Sequence, residues 1–211
     1  MIYDSRNYEK ESASAGLPLI ICLHGGGGSG SEFKTQLGFT SITSKAVFVY
    51  PDAKHNGVIT AWNAGPGYND EVDDLTWLGD LIAQVKIDEK TTDTYLLAHS
   101  NGGMMGLRYA SVKGGISKMF IFNSALEMLE DFNFTGQLSL WKSLKDTIIP
   151  IEGNKNYRSL IYEYRQMKQH IADRSEVKLV GGALHNVSSF KSALVNLGTT
   201  LETEVERFFE L

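Results

Sequence analysis

Short, unbroken apolar runs recur along the chain: LPLIICLH (17–24), AVFVYP (46–51), DTYLLAH (93–99), SKMFIFN (117–123), LSLW (138–141) and VKLVG (177–181). Runs of this length without polar alternation predict strands covered on both faces, as in a parallel sheet. The segments between them carry a different period. In EVDDLTWLGDLIAQVK, Val72, Leu75, Leu78, Ile82 and Val85 recur at intervals of three and four, which predicts a helix with one buried stripe. A shorter helix is expected from Met104 to Ala110, a long one from Asn156 to Ala172, and a last one from Thr200 to Phe209. Strands alternating with helices give an α/β architecture, a mostly parallel, doubly wound sheet of six to seven strands flanked by helices.

Length and composition narrow this picture. A chain of 211 residues is expected to form one domain over its whole length, with a short N-terminal region and no separate lid domain. The formal net charge is −5 and Lys and Arg are scattered, so nucleic acid is not an expected partner. No apolar stretch approaches the roughly 18 residues of a membrane span, so no membrane partner is expected either. Cys22 is the only cysteine, which rules out a disulfide within the chain. It lies inside an apolar run and is read as a small core residue. The polar, acid-bearing N-terminus does not read as a secretory signal. A cytoplasmic setting is expected, or a secreted one if a signal peptide has been removed.

Right-handed crossovers place the C-terminal ends of parallel strands on one edge of a sheet, where ligands bind. The chemistry of this chain gathers at those ends. HGGGGSG follows the first run, Ser100-Asn101-Gly102-Gly103 the third, Lys142 to Asp146 the fifth, and Gly181-Gly182-Ala183-Leu184-His185 the sixth. The order Ser, Asp, His, each past a different strand, is that of a nucleophile, an orienting acid and a base on an α/β sheet. A serine hydroxyl attacks only when a neutral imidazole takes its proton, and a carboxylate on the other ring nitrogen fixes the tautomer. Ser100, Asp146 and His185 are the expected catalytic residues. Of the five histidines, only His170 and His185 follow both partners, and His170 falls inside a predicted helix. Asp131 and Asp173 are rivals to Asp146 but follow no strand.

Such a serine projects from a tight strand-to-helix turn and needs small neighbours. The turn here reads Ala98-His99-Ser100-Asn101-Gly102, with Ala in the first position of G-x-S-x-G. The oxyanion hole calls for two backbone N–H groups. Asn101 is expected to supply one, and the glycine loop the other, with Gly26 the first choice and Gly27 the second. Trp62, in the loop AWNAGPGYN, and His99, beside the serine, are the expected substrate contacts. This chemistry requires no cofactor and no metal.

The blocks LPLIICLHGGGGS, AVFVYPDA, AWN, EVDDLTWLGDLI, YLLAHSNGGMM, KDTIIP and GGALHN resemble, in order, those of the polyhydroxybutyrate depolymerase and feruloyl esterase-like group of α/β-hydrolases. The likeness spans about residues 17 to 190. It implies a serine esterase using the same three residues. Segments for a polymer-binding surface are not evident, so a small carboxylic ester is the expected substrate class.

Three other readings stand beside this one. Ser100 is a favourable residue type for a helix N-cap. Gly25 to Gly30 formally matches G-x-G-x-x-G, with Asp52 near the position of a ribose-binding acid, which would make a nucleotide-binding domain. The scaffold could also bind ligand without catalysis. Asp73 and Asp74 are read as first-turn acids at a helix N-terminus, or as supports for the loops of the active edge, rather than as metal ligands.

Overall fold

In a computed structural model, the described residues are 6–11, 14–55, 57–65, 71–126, 133–156, 158–168 and 171–211. The elements run β1 (Tyr8–Glu11), β2 (Leu19–Leu23), α1 (Gly30–Leu37), β3 (Val47–Pro51), α2 (Asp74–Glu89), β4 (Thr94–His99) and α3 (Asn101–Val112). They continue with β5 (Lys118–Phe122), β6 (Gln137–Ser143), α4 (Leu160–Met167), β7 (Glu176–Val180), α5 (Val187–Asn196) and α6 (Leu201–Phe209). Seven strands form one sheet in the order β1-β3-β2-β4-β5-β6-β7. All neighbours are parallel except β1, which pairs antiparallel with β3 at one edge.

The apolar runs become strands because both faces of the sheet are covered. In β2, Leu19, Ile21 and Leu23 enter one core, with Trp77, Leu78 and Leu81 of α2, Met104 and Met105 of α3, and Leu160 of α4. Ile20 and Cys22 enter the opposite core, with Phe33 and Leu37 of α1, Phe190 of α5, and Phe208 and Phe209 of α6. The period of two in a strand sends successive side chains to the two layers.

Each of the six apolar runs contains one strand. β1 completes the sheet as a short, exposed edge strand without an apolar run of its own. Two helices, α1 and α5, lack a long apolar stripe and begin on side-chain caps. Ser29 Oγ accepts the Glu32 amide at 3.2 Å, and Asn186 Oδ1 accepts the Ser189 amide at 2.8 Å. The helix expected over 156–172 is shorter, Leu160–Met167. His170 and Asp131 lie outside the described residues.

The connection from β2 leads outward to β3, whereas β4 starts a run in the other direction through β5, β6 and β7. The sheet therefore reverses between β2 and β4. The glycine loop and Ser100 both leave the sheet at this reversal, the position where open α/β sheets form a crevice.

Candidate active site

Ser100 connects β4 to α3 with φ 54° and ψ −123°. A left-handed φ on a non-glycine residue is strained and persists only when its surroundings enforce it. Here they do. Ser100 N–H donates to the Phe122 carbonyl at 3.2 Å, and the Ser100 carbonyl accepts from Ser124 Oγ at 2.8 Å and Gly103 N–H at 2.9 Å. The helix behind the serine lies hard against the sheet. A Cβ on Gly102 would come within 2.3 Å of the Leu23 carbonyl oxygen, and one on Gly103 within 2.6 Å of Ile121 and Ser124. The small residues thus permit the close approach that the turn requires.

Ser100 Oγ makes no capping bond to α3. It lies 2.8 Å from His185 Nε2 instead. His185 Nδ1 lies 2.8 Å from Asp146 Oδ2. With Nδ1–H donating to the carboxylate, Nε2 is free to accept from the serine hydroxyl. The carboxylate is fixed on its other side too, since Oδ1 accepts the Ile148 and Ile149 amides, both at 2.9 Å. Burial pushes the Asp146 carboxyl upward, but hydrogen bonds from His185, Lys142 and Ile149 outweigh it and hold it at about 2.

Three residues hold this arrangement from behind. Asn123, at the end of β5 with φ 51°, donates through Nδ2 to the His185 carbonyl at 2.9 Å and accepts the Ser143 amide at 2.9 Å. His99 Nε2 donates to the same His185 carbonyl at 2.7 Å. Burial drives the His99 ring down to about 3, so it stays neutral. On the glycine-loop side, His24 Nδ1 pairs with the Gly25 carbonyl at 2.7 Å while Nε2 accepts the Ala53 amide at 3.0 Å. Burial lowers the His24 ring as well. It ties the first glycine to the segment after β3.

A cleft of about 340 Å³ opens over these residues, lined by Gly25 to Ser29, Glu32 and Phe33 on one side and by Ser100, His185 and Asn186 on the other. Among the described residues no cluster of His, Cys, Asp and Glu could hold a metal ion. No helix of the described chain is long and apolar enough to cross a membrane.

No family model and no curated protein matches the sequence. Solved structures do match. The esterase PE8 superposes with a TM-score of 0.63 at 16% identity, over 92% of this chain and 99% of that one. Est1E from Butyrivibrio proteoclasticus, with ferulic acid bound, matches with a TM-score of 0.63 at 14% identity, over 98% and 96% of the two chains. The Bacillus cereus carboxylesterase matches with a TM-score of 0.63 at 13% identity, over 90% and 93%. The chain has the α/β-hydrolase fold.

Within this fold, the residues expected at the site are distributed as follows. Ser100, His185 and Asp146 come together at the ends of β4, β7 and β6. Asn101 and Gly26 are neighbours, since a Cβ on Gly26 would stand 3.9 Å from the Asn101 Cβ. Gly27 is corrected, because its amide already donates to the Thr60 carbonyl at 2.7 Å. Trp62 is corrected too. It is fully buried, donates from Nε1 to the His24 carbonyl at 3.0 Å and packs on the His24 ring. Its role is to support the glycine loop rather than to touch substrate. His99 lines the floor of the cleft but is only 8% exposed, and its ring nitrogen is committed to the His185 carbonyl. Asp52, the acid of the nucleotide reading, caps α1 by accepting the Gly30 amide at 2.7 Å.

Asn123, Ser124 and Lys142 were not singled out by sequence. Each is a polar residue at the tail of an apolar run, and that position is the signal that could have found them. Lys142 is fully buried, and its ammonium lies 2.5 Å from Asp146 Oδ2.

Proposed function

We propose that this α/β-hydrolase is a serine esterase acting on small carboxylic esters. The observation that carries the reading is the continuous hydrogen-bonded series Ser100–His185–Asp146 on a serine with a left-handed φ. A structural N-cap serine would bond its own helix, and this one does not.

In the proposed cycle, Ser100 Oγ attacks the ester carbonyl carbon as its proton passes to His185 Nε2. Asp146 stabilises the imidazolium that forms. The carbonyl oxygen becomes an oxyanion, received by the amides of Asn101 and Gly26. Among the described residues the Gly26 amide has no hydrogen-bond partner, which suits this task. The tetrahedral intermediate collapses, the alcohol departs with the proton from His185, and an acyl-serine remains. Water, deprotonated by His185, then adds to the acyl carbon and releases the acid.

A cleft of this size suits a short acyl or alcohol group, and its polar rim of Ser29, Glu32 and Asn186 disfavours long aliphatic chains. Ferulic acid binds Est1E, so feruloyl esters belong in the substrate panel. The test is labelling by a fluorophosphonate with peptide mapping, beside hydrolysis of p-nitrophenyl esters of increasing chain length. Labelling at Ser100 with turnover is expected. Ser100→Ala and His185→Ala should each lower kcat by about 10⁴-fold or more while the fold is retained. A folded sample that neither labels nor turns over would leave a ligand-binding scaffold as the better account.

A further inference from the structure

Lys142 is the third residue of an odd-even pattern in β6, where Leu138 and Leu140 point into the α2–α4 core. By that period its side chain enters the same apolar layer. Both it and Asp146 are fully buried. A buried ammonium is costly unless it is paired and hydrogen-bonded. Among the described residues, Asp146 is the acceptor within hydrogen-bond reach of this ammonium.

The oxygen it uses matters. Lys142 Nζ and His185 Nδ1 both bond Asp146 Oδ2, at 2.5 and 2.8 Å. Oδ1 is taken by the two isoleucine amides. The carboxylate's acceptor sites are thus filled, and its negative charge is shared between a fixed cation and the imidazole. When His185 accepts the serine proton, the imidazolium forms beside an acid that Lys142 already neutralises.

We infer that Lys142 is a positioning residue of the catalytic series, which locks the Asp146 carboxylate against His185 and offsets its charge. The inference rests on the serine esterase reading. The other titratable groups facing this pair are few. His99 faces it from β4 with ring centroids 5.1 Å from His185, and stays neutral. His24 and Glu32 lie across the cleft, on the β2 loop and on α1. From α5 and its cap come the uncharged Asn186, Val187 and Ser188. Lys145 in the intervening turn is solvent-exposed. Lys142 is therefore the buried cation in direct contact with the acid.

The sign follows from charge. A cation beside the acid opposes protonation of the imidazole, so its removal favours the imidazolium. Lys142→Met should move the acidic limb of the kcat/KM profile to higher pH, by roughly one unit. The midpoint of the His185 ring titration, followed by NMR, should move the same way, and this readout requires no substrate. Fluorophosphonate labelling of the unsubstituted protein tests the esterase reading separately. If labelling and turnover both fail, the esterase reading falls, whereas the NMR titration separately tests whether Lys142 acts on the Asp146–His185 pair. Should Lys142→Met not fold, Lys142→Gln removes the charge while keeping a donor, and the same shift is expected. A residue with a merely structural role would lower activity at all pH values and leave the midpoint in place. Superimposed His185 titrations in the folded variant and the parent would overturn the inference. A second reading comes from melting. Asp146→Asn should lower the melting temperature, and adding Lys142→Met should restore part of the loss. Additive losses would show that the two are not a coupled pair and would also overturn it.

Discussion

His99 shows how one side chain links stability to the site. Its ring is packed between Phe33 and Phe122, with centroids 6.4 and 4.9 Å away, and its Nε2–H holds the His185 carbonyl. Burial favours the neutral ring, bringing it from an ordinary 6.5 to about 3. Between those values the unfolded chain binds a proton that the folded chain refuses. Stability is then complete above about pH 6.5 and declines as the pH falls toward 3. Asp146 acts further down, because its depressed carboxyl contributes stability above about pH 4 that is lost as the pH approaches 2. His99→Gln, which can still donate to the His185 carbonyl, should flatten the decline between pH 6.5 and 4 in urea denaturation series. An unchanged slope would mean that the imidazole is not the group responsible. Because the donor is kept, turnover should fall far less than for His185→Ala.

At the scale of elements, the turn from β4 to α3 is built by contact rather than by propensity. Gly102 and Gly103 are poor helix formers, yet they occupy the first turn of α3 because a larger residue would strike β2 and β5. Gly102→Ala should destabilise the protein by about 3 kcal/mol, near the upper range for overpacking, since the obstacle is backbone that cannot rotate away. A denaturation midpoint equal to that of the parent would remove the close-contact account. Turnover of any folded fraction should fall as well, because Ser100 rides on this turn. The same elements show what a sequence reveals. The strands were legible because a two-sided parallel sheet requires unbroken apolar runs. Ser100, Asp146 and His185, which the fold brings within hydrogen-bond reach of one another, could be singled out because each stands just past such a run. Trp62 was misplaced because an aromatic residue in a loop looks exposed, whereas its indole is covered by the glycine loop and His24. Lys142 was hidden for the opposite reason. A lysine at a strand end reads as solvent-facing, and only the fold brings its ammonium onto Asp146. β1 and α1 were hidden because a short edge strand and an eight-residue helix carry little periodic signal.

Across the whole molecule, the reversal of the sheet between β2 and β4 creates the crevice, and a polar network away from the cleft reaches Asn101, the residue after Ser100. Asp74, the first residue of α2, is fully buried and its Oδ2 accepts the Asn63 amide at 2.6 Å. Its Oδ1 pairs with Arg6, which precedes β1 and lies 4.0 Å over the Trp77 ring. Arg108 of α3 donates to the Asn63 carbonyl and Oδ1 at 2.6 and 2.7 Å. One residue earlier, the Trp62 amide donates to Asn101 Oδ1 at 2.8 Å, and Asn101 Nδ2 returns a bond to the Trp62 carbonyl at 3.2 Å. The AWN and VDD blocks thus converge on Asn101, although neither lines the cleft. Asp74→Ala should cost about 1–3 kcal/mol, because it leaves the buried Asn63 amide without its acceptor and removes one ion-pair partner of Arg6. Asp74→Asn keeps an acceptor for Asn63 but not the charge for Arg6, so its loss should be smaller. The effect on turnover should follow the loop rather than the ion pair. Asp74→Ala lowers kcat through the Asn101 amide, while Asp74→Asn leaves kcat near that of the parent. Equal kcat values for both variants, measured where each is fully folded, would show that the network supports the fold without acting through Asn101.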